Sequence, residues 1–380
     1  MSGLISAAFL FEQEKRFRII NEQNYVNMLA SENYWANKIL RQVPLDGKSE
    51  RLQWLLSTAS IEQLTPNDGG ESGGKINFDE LSTVMAEYFP AHFARGYKIS
   101  KIKYLNALKG GLDPIAKWVG DMGAYGAYVP QRGAAMLLLN GENAAATSYD
   151  GVPFFSTAHP THPNIPALGT YANLFTGASA VKTTLAPAYP GACAIDDSVA
   201  LDTAFTNMSK ILSYITGAIS QPNGAGDPRM LVPLFVLHPP RMTARVTQMF
   251  DADYIAQIAG GGSAAGSADV KAFFKKYRML EPVEAKELDG ARTYTLQDGT
   301  TVQGDDKAFY VVCKEASDTQ LGALLDNVRM PFALQTYSGE GGTEGLDAVL
   351  GRSNDLEYHY QGWRGFNYGH PFAVFKCKGA

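Results

Sequence analysis

Cysteine is nearly missing from this chain: Cys193, Cys313 and Cys377 are odd in number and far apart, with no CxxC spacing. Neither a disulfide framework nor a structural zinc site is indicated, and the expected compartment is a reducing one. Charge is sparse too. Charged residues make up 19% of the sequence, below the roughly 25% usual in globular domains. The net charge of −5 leaves no basic surplus. A broad phosphate-gripping face needs clustered Lys and Arg, so any DNA contact is expected to be local or weak. Long hydrophobic runs are also absent. The N-terminal LISAAFLF is too short to span a bilayer, lacks a preceding basic region and runs into EQEKRFR rather than a small-residue cleavage site. The expectation is a soluble, non-secreted protein.

What is present is hydrophobic content of 45%, 38 glycines and 19 tyrosines in 380 residues. That length suits about two packed lobes. Many turns and large, partly wet aromatic surfaces lean toward self-association. Residues 1–43 read as amphipathic helical pieces forming an arm rather than a core. From Ser49 to Leu105 the pattern suggests a long projecting β-ribbon with the tip PNDGGESGG. Tyr97 and Ile99 alternate in one phase and Ile102 and Tyr104 in the other, as across a bulge at Ser100 and Lys101.

Asp113-Pro114 is a strong helix start, with Asp capping free N–H groups and Pro at the first helical position. Ile115, Trp118, Val119, Met122 and Tyr125 then share a face, and the pattern resumes through Met136 and Leu137 to Asn140-Gly141, which reads as a C-cap. Such a helix is about 40 Å long at 1.5 Å per residue. Pro130, with Gly123, Gly126 and Gly133, predicts a kink or break. Beyond a loop-rich stretch to about Ala194, DDSVALDTAFTNMSKILSYIT reads as a helix, LVPLFVL and AFYVVC as core strands, and PPRMTARVTQMF as a helix opening on proline. GGGSAAGSAD reads as a mobile loop, TYTLQDGTTVQ as a hairpin, and LEYHYQGWRGFNYGHPFAVFKC as aromatic strand.

Motifs for chemistry are incomplete. GGESGGK, Gly69 to Lys75, has P-loop spacing, but Ile76 replaces the magnesium-holding hydroxyl and no apolar strand precedes it, so it reads as a loop tip. GGSAA, Gly261 to Ala265, lacks the closing glycine of a nucleophile elbow. His159 and His162 each precede a proline, with no third ligand at a recognisable spacing. The stretch YDGVPFFSTAHPTHP therefore reads as a proline-stiffened structural corner: a turn at Tyr149, Asp150 and Gly151, a buried Phe154-Phe155 pair, then His159 and Pro160. No catalytic residue, cofactor or metal is expected.

The long helix ending in LLLNGE, a small-residue spacer and YDGVPFFSTAHP resemble the segment that marks the Mu-like phage major head proteins, a match specific over Asp113 to Pro163. Over the rest of the chain the order of elements resembles the Hong Kong 97-type capsid fold, an α+β architecture. The resemblance implies an N-terminal arm (1–43), an extended E-loop (44–107) and a peripheral domain with a spine helix (108–194). An axial domain (195–345) and a return to the peripheral domain (346–380) follow. It implies a non-enzymatic major capsid protein that self-assembles into hexamers and pentamers of an icosahedral shell around double-stranded DNA. That shell would be built in the host bacterial cytoplasm and reside in the virion. The implied partners are other copies of the chain, portal and scaffolding proteins, decoration proteins, and packaged DNA through weak non-specific contact, with no membrane. Asp68, Gly69, Gly70, Gly73, Gly74 and Lys75 would form the E-loop tip used in assembly. Two rivals fit the same residues: an encapsulin-type nanocompartment shell of the same fold, and a soluble hydrolase whose site is assembled from distant residues.

Overall fold

The computed structural model describes residues 7–46, 50–56, 82–162, 164, 167, 169–176, 193–217, 230–251, 254–258, 264–269, 280–296, 298–315, 322–336 and 355–379. The chain divides into two compact units, residues 1–50, 88–134 and 325–367 in one and residues 51–87, 135–324 and 368–380 in the other.

In the first unit, strands Leu40–Pro44, Leu324–Thr336, Asp355–Tyr368 and Ala91–Ser100 form a sheet in that order. Asp355–Tyr368 runs antiparallel to Ala91–Ser100, from Asp355 opposite Ser100 to Arg364 opposite Ala91. Side chains on a strand alternate between faces. Accordingly Leu356, Tyr358 and Tyr360 are buried while Glu357, His359 and Gln361 are not. The buried row joins Leu334, Tyr104, Ile115, Val119 and Phe17 in one apolar cluster. Phe17 lies on the N-terminal helix Ala7–Leu29 and is fully buried, and Asn21 on the same helix donates to the Val119 carbonyl at 3.0 Å. The sequence reading of this segment as an arm outside any core is thus corrected: one face of the helix completes the core.

Two further expectations are corrected here. The phase slip at Ser100 and Lys101 is not a bulge. The strand ends at Ser100, whose hydroxyl accepts from the Lys103 amide and starts the helix Lys101–Lys109. Helical spacing then buries Tyr104 and leaves Ile102 71% exposed. Of the kink or break expected at Pro130, the break does not occur: the long helix, Pro114–Asn140, is continuous through it. Its glycines are contact points: a side chain on Gly126 would collide with the Tyr360 hydroxyl, and one on Gly133 with the Phe366 ring. Asp113 caps this helix as expected, accepting from the Ala116 amide at 3.0 Å.

The second unit holds a five-stranded sheet in the order Glu281–Glu284, Leu231–His238, Ala308–Glu315, Val374–Lys378, Leu174–Thr176. Ala308–Glu315 is antiparallel to both of its neighbours, and the two outer pairings are parallel. Both expected core strands therefore lie in this sheet. The helix Leu201–Ile215 turns Ala204, Phe205, Met208, Ile211, Leu212 and Ile215 inward at three and four spacing. Thr293–Thr295 and Thr301–Gln303 form the expected hairpin, with Gly299 in the left-handed region at φ 83°. The segment expected as a mobile loop is, over Ala264–Asp269, a strand paired with Tyr254–Ile258. Strands Glu50–Leu56 and Ser82–Tyr88 pair as a separate two-stranded sheet.

Candidate functional site

The corner begins where the long helix leaves its last carbonyls without intrahelical donors. Two tyrosines supply them: the Tyr368 hydroxyl donates to the Leu137 carbonyl at 3.0 Å, and the Tyr310 hydroxyl to that of Leu138 at 3.4 Å. Burial pushes both phenols above their ordinary range, so they remain donors. Gly141 follows, and it is not among the positive-φ glycines. A methyl there would lie 2.5 Å from Phe155 Cδ2. Glycine is required by the approach of a ring.

The expected turn is present. The Gly151 amide donates to the Ser148 carbonyl at 3.0 Å, and Gly151 has φ 76°. The Asp150 carboxylate accepts from the Val152 amide and the Ser148 hydroxyl, each at 3.1 Å, the way Asp stabilises a turn. Tyr149 packs edge-on to His370, 5.8 Å between ring centres. Phe154 and Phe155 are buried, their rings 5.0 Å apart, with Phe154 stacked on Tyr368 at 4.7 Å.

His159 is fully buried and stacked on Tyr171 at 5.2 Å. Its Nδ1 is 2.6 Å from Asp150 Oδ2, and its Nε2 is 3.2 Å from the Phe154 carbonyl and 3.1 Å from Asn173 Oδ1. Pro160 continues the short strand His159–Pro160, paired with Thr170–Tyr171. His162 is also buried, accepts at Nδ1 from the Asn164 amide at 3.2 Å, and is shifted toward its neutral form by burial. Thus the two histidines are placed in hydrogen-bonded, buried positions, and among the described residues no group of three His, Cys, Asp or Glu could hold a metal. The tip residues Asp68, Gly69, Gly70, Gly73, Gly74 and Lys75 lie outside the described residues.

Two residues central to this corner were missed in the sequence. Asn173 donates to the carbonyls of Phe154 and Pro371 at 2.7 and 2.8 Å and accepts from the Ser156 amide at 2.9 Å, tying three chain segments together. Lys376, in a strand otherwise buried and apolar at Val374, Phe375 and Cys377, is itself buried. It forms an ion pair with Glu142 and lies 5.8 and 5.7 Å from the Phe155 and Tyr310 ring centres. The only hint for either was a polar residue inside an apolar run. Chemically, the arrangement orients and clamps. The thiols of Cys313 and Cys377 are raised by burial, which keeps them as unreactive thiols.

No family model matches the sequence, and no curated protein matches it. Among solved structures, the chain is similar to the capsid of the cyanophage P-SCSP1u, at 10% identity and TM-score 0.51 over 90% of this chain and 86% of that one. It is also similar to the mature capsid of bacteriophage PhiM1, at 12% identity and TM-score 0.50 over 91% of this chain and 87% of that one. The chain has the Hong Kong 97-type phage capsid fold, mixed in helix and strand.

Proposed function

We propose that this chain is the major capsid subunit of a tailed phage or prophage, of the Mu-like kind, building hexamers and pentamers of a shell around double-stranded DNA. The observation that carries the reading is the likeness of about nine tenths of the chain to two phage capsid structures; function is inferred from that fold by analogy. The YDG-x-x-FF-x-x-x-HP segment supports the Mu-like assignment. Both structures being phage capsids favours this reading over a nanocompartment shell, and the role is structural rather than catalytic.

Surface features support self-assembly. The two-stranded ribbon Glu50–Leu56 with Ser82–Tyr88 is the E-loop in this reading, and an isolated two-stranded sheet is marginal in water without a partner surface. Ile19, Val26, Phe89, Ile102, Leu112 and Met230 are large apolar residues more than half exposed, area that copies of the chain can bury against one another. Among the described residues no helix is long and apolar enough to cross a membrane. Portal, scaffolding and decoration proteins are the partners that the reading implies, with assembly in the host cytoplasm. Light scattering of the purified protein over a concentration series, with and without a scaffold, tests it: capsomers, shells, tubes or sheets support the reading. A well-folded monomer at every concentration and condition defeats it.

A further inference from the structure

The four-stranded sheet of the first unit ends at Ala91–Ser100, and among the described residues no strand pairs with the outer edge of that strand. Phe93 and Arg95 share a face of it with Tyr97, which stacks on Trp118 of the long helix at 5.5 Å. Between strand and helix lies a cavity of about 360 Å³, lined by Phe93, Phe332 and Tyr360 from the sheet and by Met122, Tyr125 and Val129 from the helix. Ala94 lines it as well. Its side chain belongs to the opposite face, so its backbone at the open edge forms part of the wall. The cavity therefore adjoins main-chain donors and acceptors that no strand has taken up.

Two polar groups converge on this cavity. Tyr360 is 3% exposed, yet among the described residues its hydroxyl has no hydrogen-bond partner, a cost that a ligand carbonyl would remove. The hydroxyl lies against Gly126, where a Cβ would stand 2.1 Å from it. Met122 and Val129, neighbours of Gly126 on the same helix stripe, both line the cavity. Arg95 also lines it, is exposed, and makes no ion pair among the described residues. Asp121, next to Met122, is already paired with Lys117 at 2.6 Å, and Glu357 with Lys98 at 2.7 Å. The mouth of the cavity thus carries uncompensated positive charge.

We propose that this groove docks an extended acidic segment of a partner protein, which adds to Ala91–Ser100 as a fifth strand, seats a bulky apolar side chain in the cavity and sets a carboxylate on Arg95. The free edge supplies main-chain hydrogen bonds, the apolar cavity beside it supplies side-chain specificity, and the guanidinium selects an acid. Only every second residue of the added strand faces the helix, so the apolar residue and the acid stand two positions apart. Two copies of this chain joined edge to edge would instead bring two arginine-bearing strands together, and like charges across a strand pair oppose it. All of the groove's residues belong to the first unit, and the inference holds whether or not the chain builds a shell.

The test selects from a random dodecapeptide library, displayed on ribosomes, with unassembled full-length subunits as the target and Met122→Trp, which fills the cavity, for counter-selection. Enriched peptides should carry a bulky apolar residue and an Asp or Glu two positions apart, with no proline between them. In calorimetry an enriched peptide should bind Arg95→Glu about tenfold or more weakly than the parent. Replacing its acid with Lys should restore binding to Arg95→Glu, a charge swap that a merely sticky edge would not show. Arg95 is exposed, so this variant keeps its fold and decides the matter should Met122→Trp fail to fold. Absence of enrichment, enriched peptides without that spacing, or equal affinity for parent and Arg95→Glu overturns the proposal. Self-association of parent subunits that Arg95→Glu abolishes overturns it too, by making the occupant a second copy.

Discussion

The Phe155 ring occupies the space where a side chain on Gly141 would stand, and the Phe155 amide donates to the Gly141 carbonyl at 2.8 Å. The chain therefore leaves the long helix at an angle set jointly by a hydrogen bond and a ring packed on bare backbone. Gly141→Ala should overpack this contact and destabilise the subunit by about 1–3 kcal/mol. Chemical denaturation of unassembled subunits measures it; parent-like stability would mean that the ring moves aside freely.

Phe154 and Phe155 themselves are buried at 0% and 2% exposure. Replacing either with Ala removes a whole ring from a packed interior and should cost about 3–5 kcal/mol. If both single variants melt and assemble as the parent does, the corner is not held by its aromatics.

Asp326 and Arg364 form a buried pair at 2.6 Å in the first unit, at 1% and 2% exposure. Burial, only partly offset by Arg364, pushes the Asp326 carboxyl up from its ordinary value to about 6. A carboxyl raised on folding binds its proton more tightly in the folded state. Its contribution to stability is thus fully present below about pH 4 and is lost as pH rises through about 6. A rise of that size corresponds to at most about 3 kcal/mol. Asp326→Asn should flatten this slope when unfolding is followed between those pH values. An unchanged slope would show that the carboxyl titrates as an ordinary one.

How much of this was legible beforehand depended on whether the signal was local. Asp113 and Pro114 announced a helix start because capping is settled within four residues, and Asp298-Gly299 announced its hairpin for the same reason. The aromatic content of LEYHYQGW was enough to read it as strand, and the structure adds that Leu356, Tyr358 and Tyr360 are its buried face. Ser100 was misread because a period-2 strand changed to a period-3.6 helix within two residues, which imitates a bulge. Gly126 and Gly133 looked like weak points and Gly141 like a cap, since a sequence does not show what approaches a glycine; Tyr360, Phe366 and Phe155 come from 14 to 234 residues away. Asn173 and Lys376 were invisible for a similar reason, their partners Pro371 and Glu142 being brought to them only by the fold.

The ribbon gives a prediction that separates folding from assembly. Replacing Gln63 to Asn77 with a short Gly/Ser linker removes the tip residues Asp68 to Lys75 while leaving both paired strands. Loop-closure entropy varies slowly with length, so subunit stability should change by only about 1 kcal/mol. If the tip takes part in assembly, particle yield by sedimentation should fall far more, because a small loss recurs at every copy in a closed lattice. Outright unfolding would place the segment in a core, and normal shells would exclude the tip from assembly. Lys75→Ala should bind ATP no differently from the parent in calorimetry, since the hydroxyl ligand of a phosphate loop is missing.

Electron microscopy of the purified full-length protein in negative stain tests the capsid reading most directly. Closed shells, or tubes and sheets built from capsomer rings, are the expected result. Fields of discrete monomers or small oligomers, under every assembly condition and with a scaffold supplied, would contradict it.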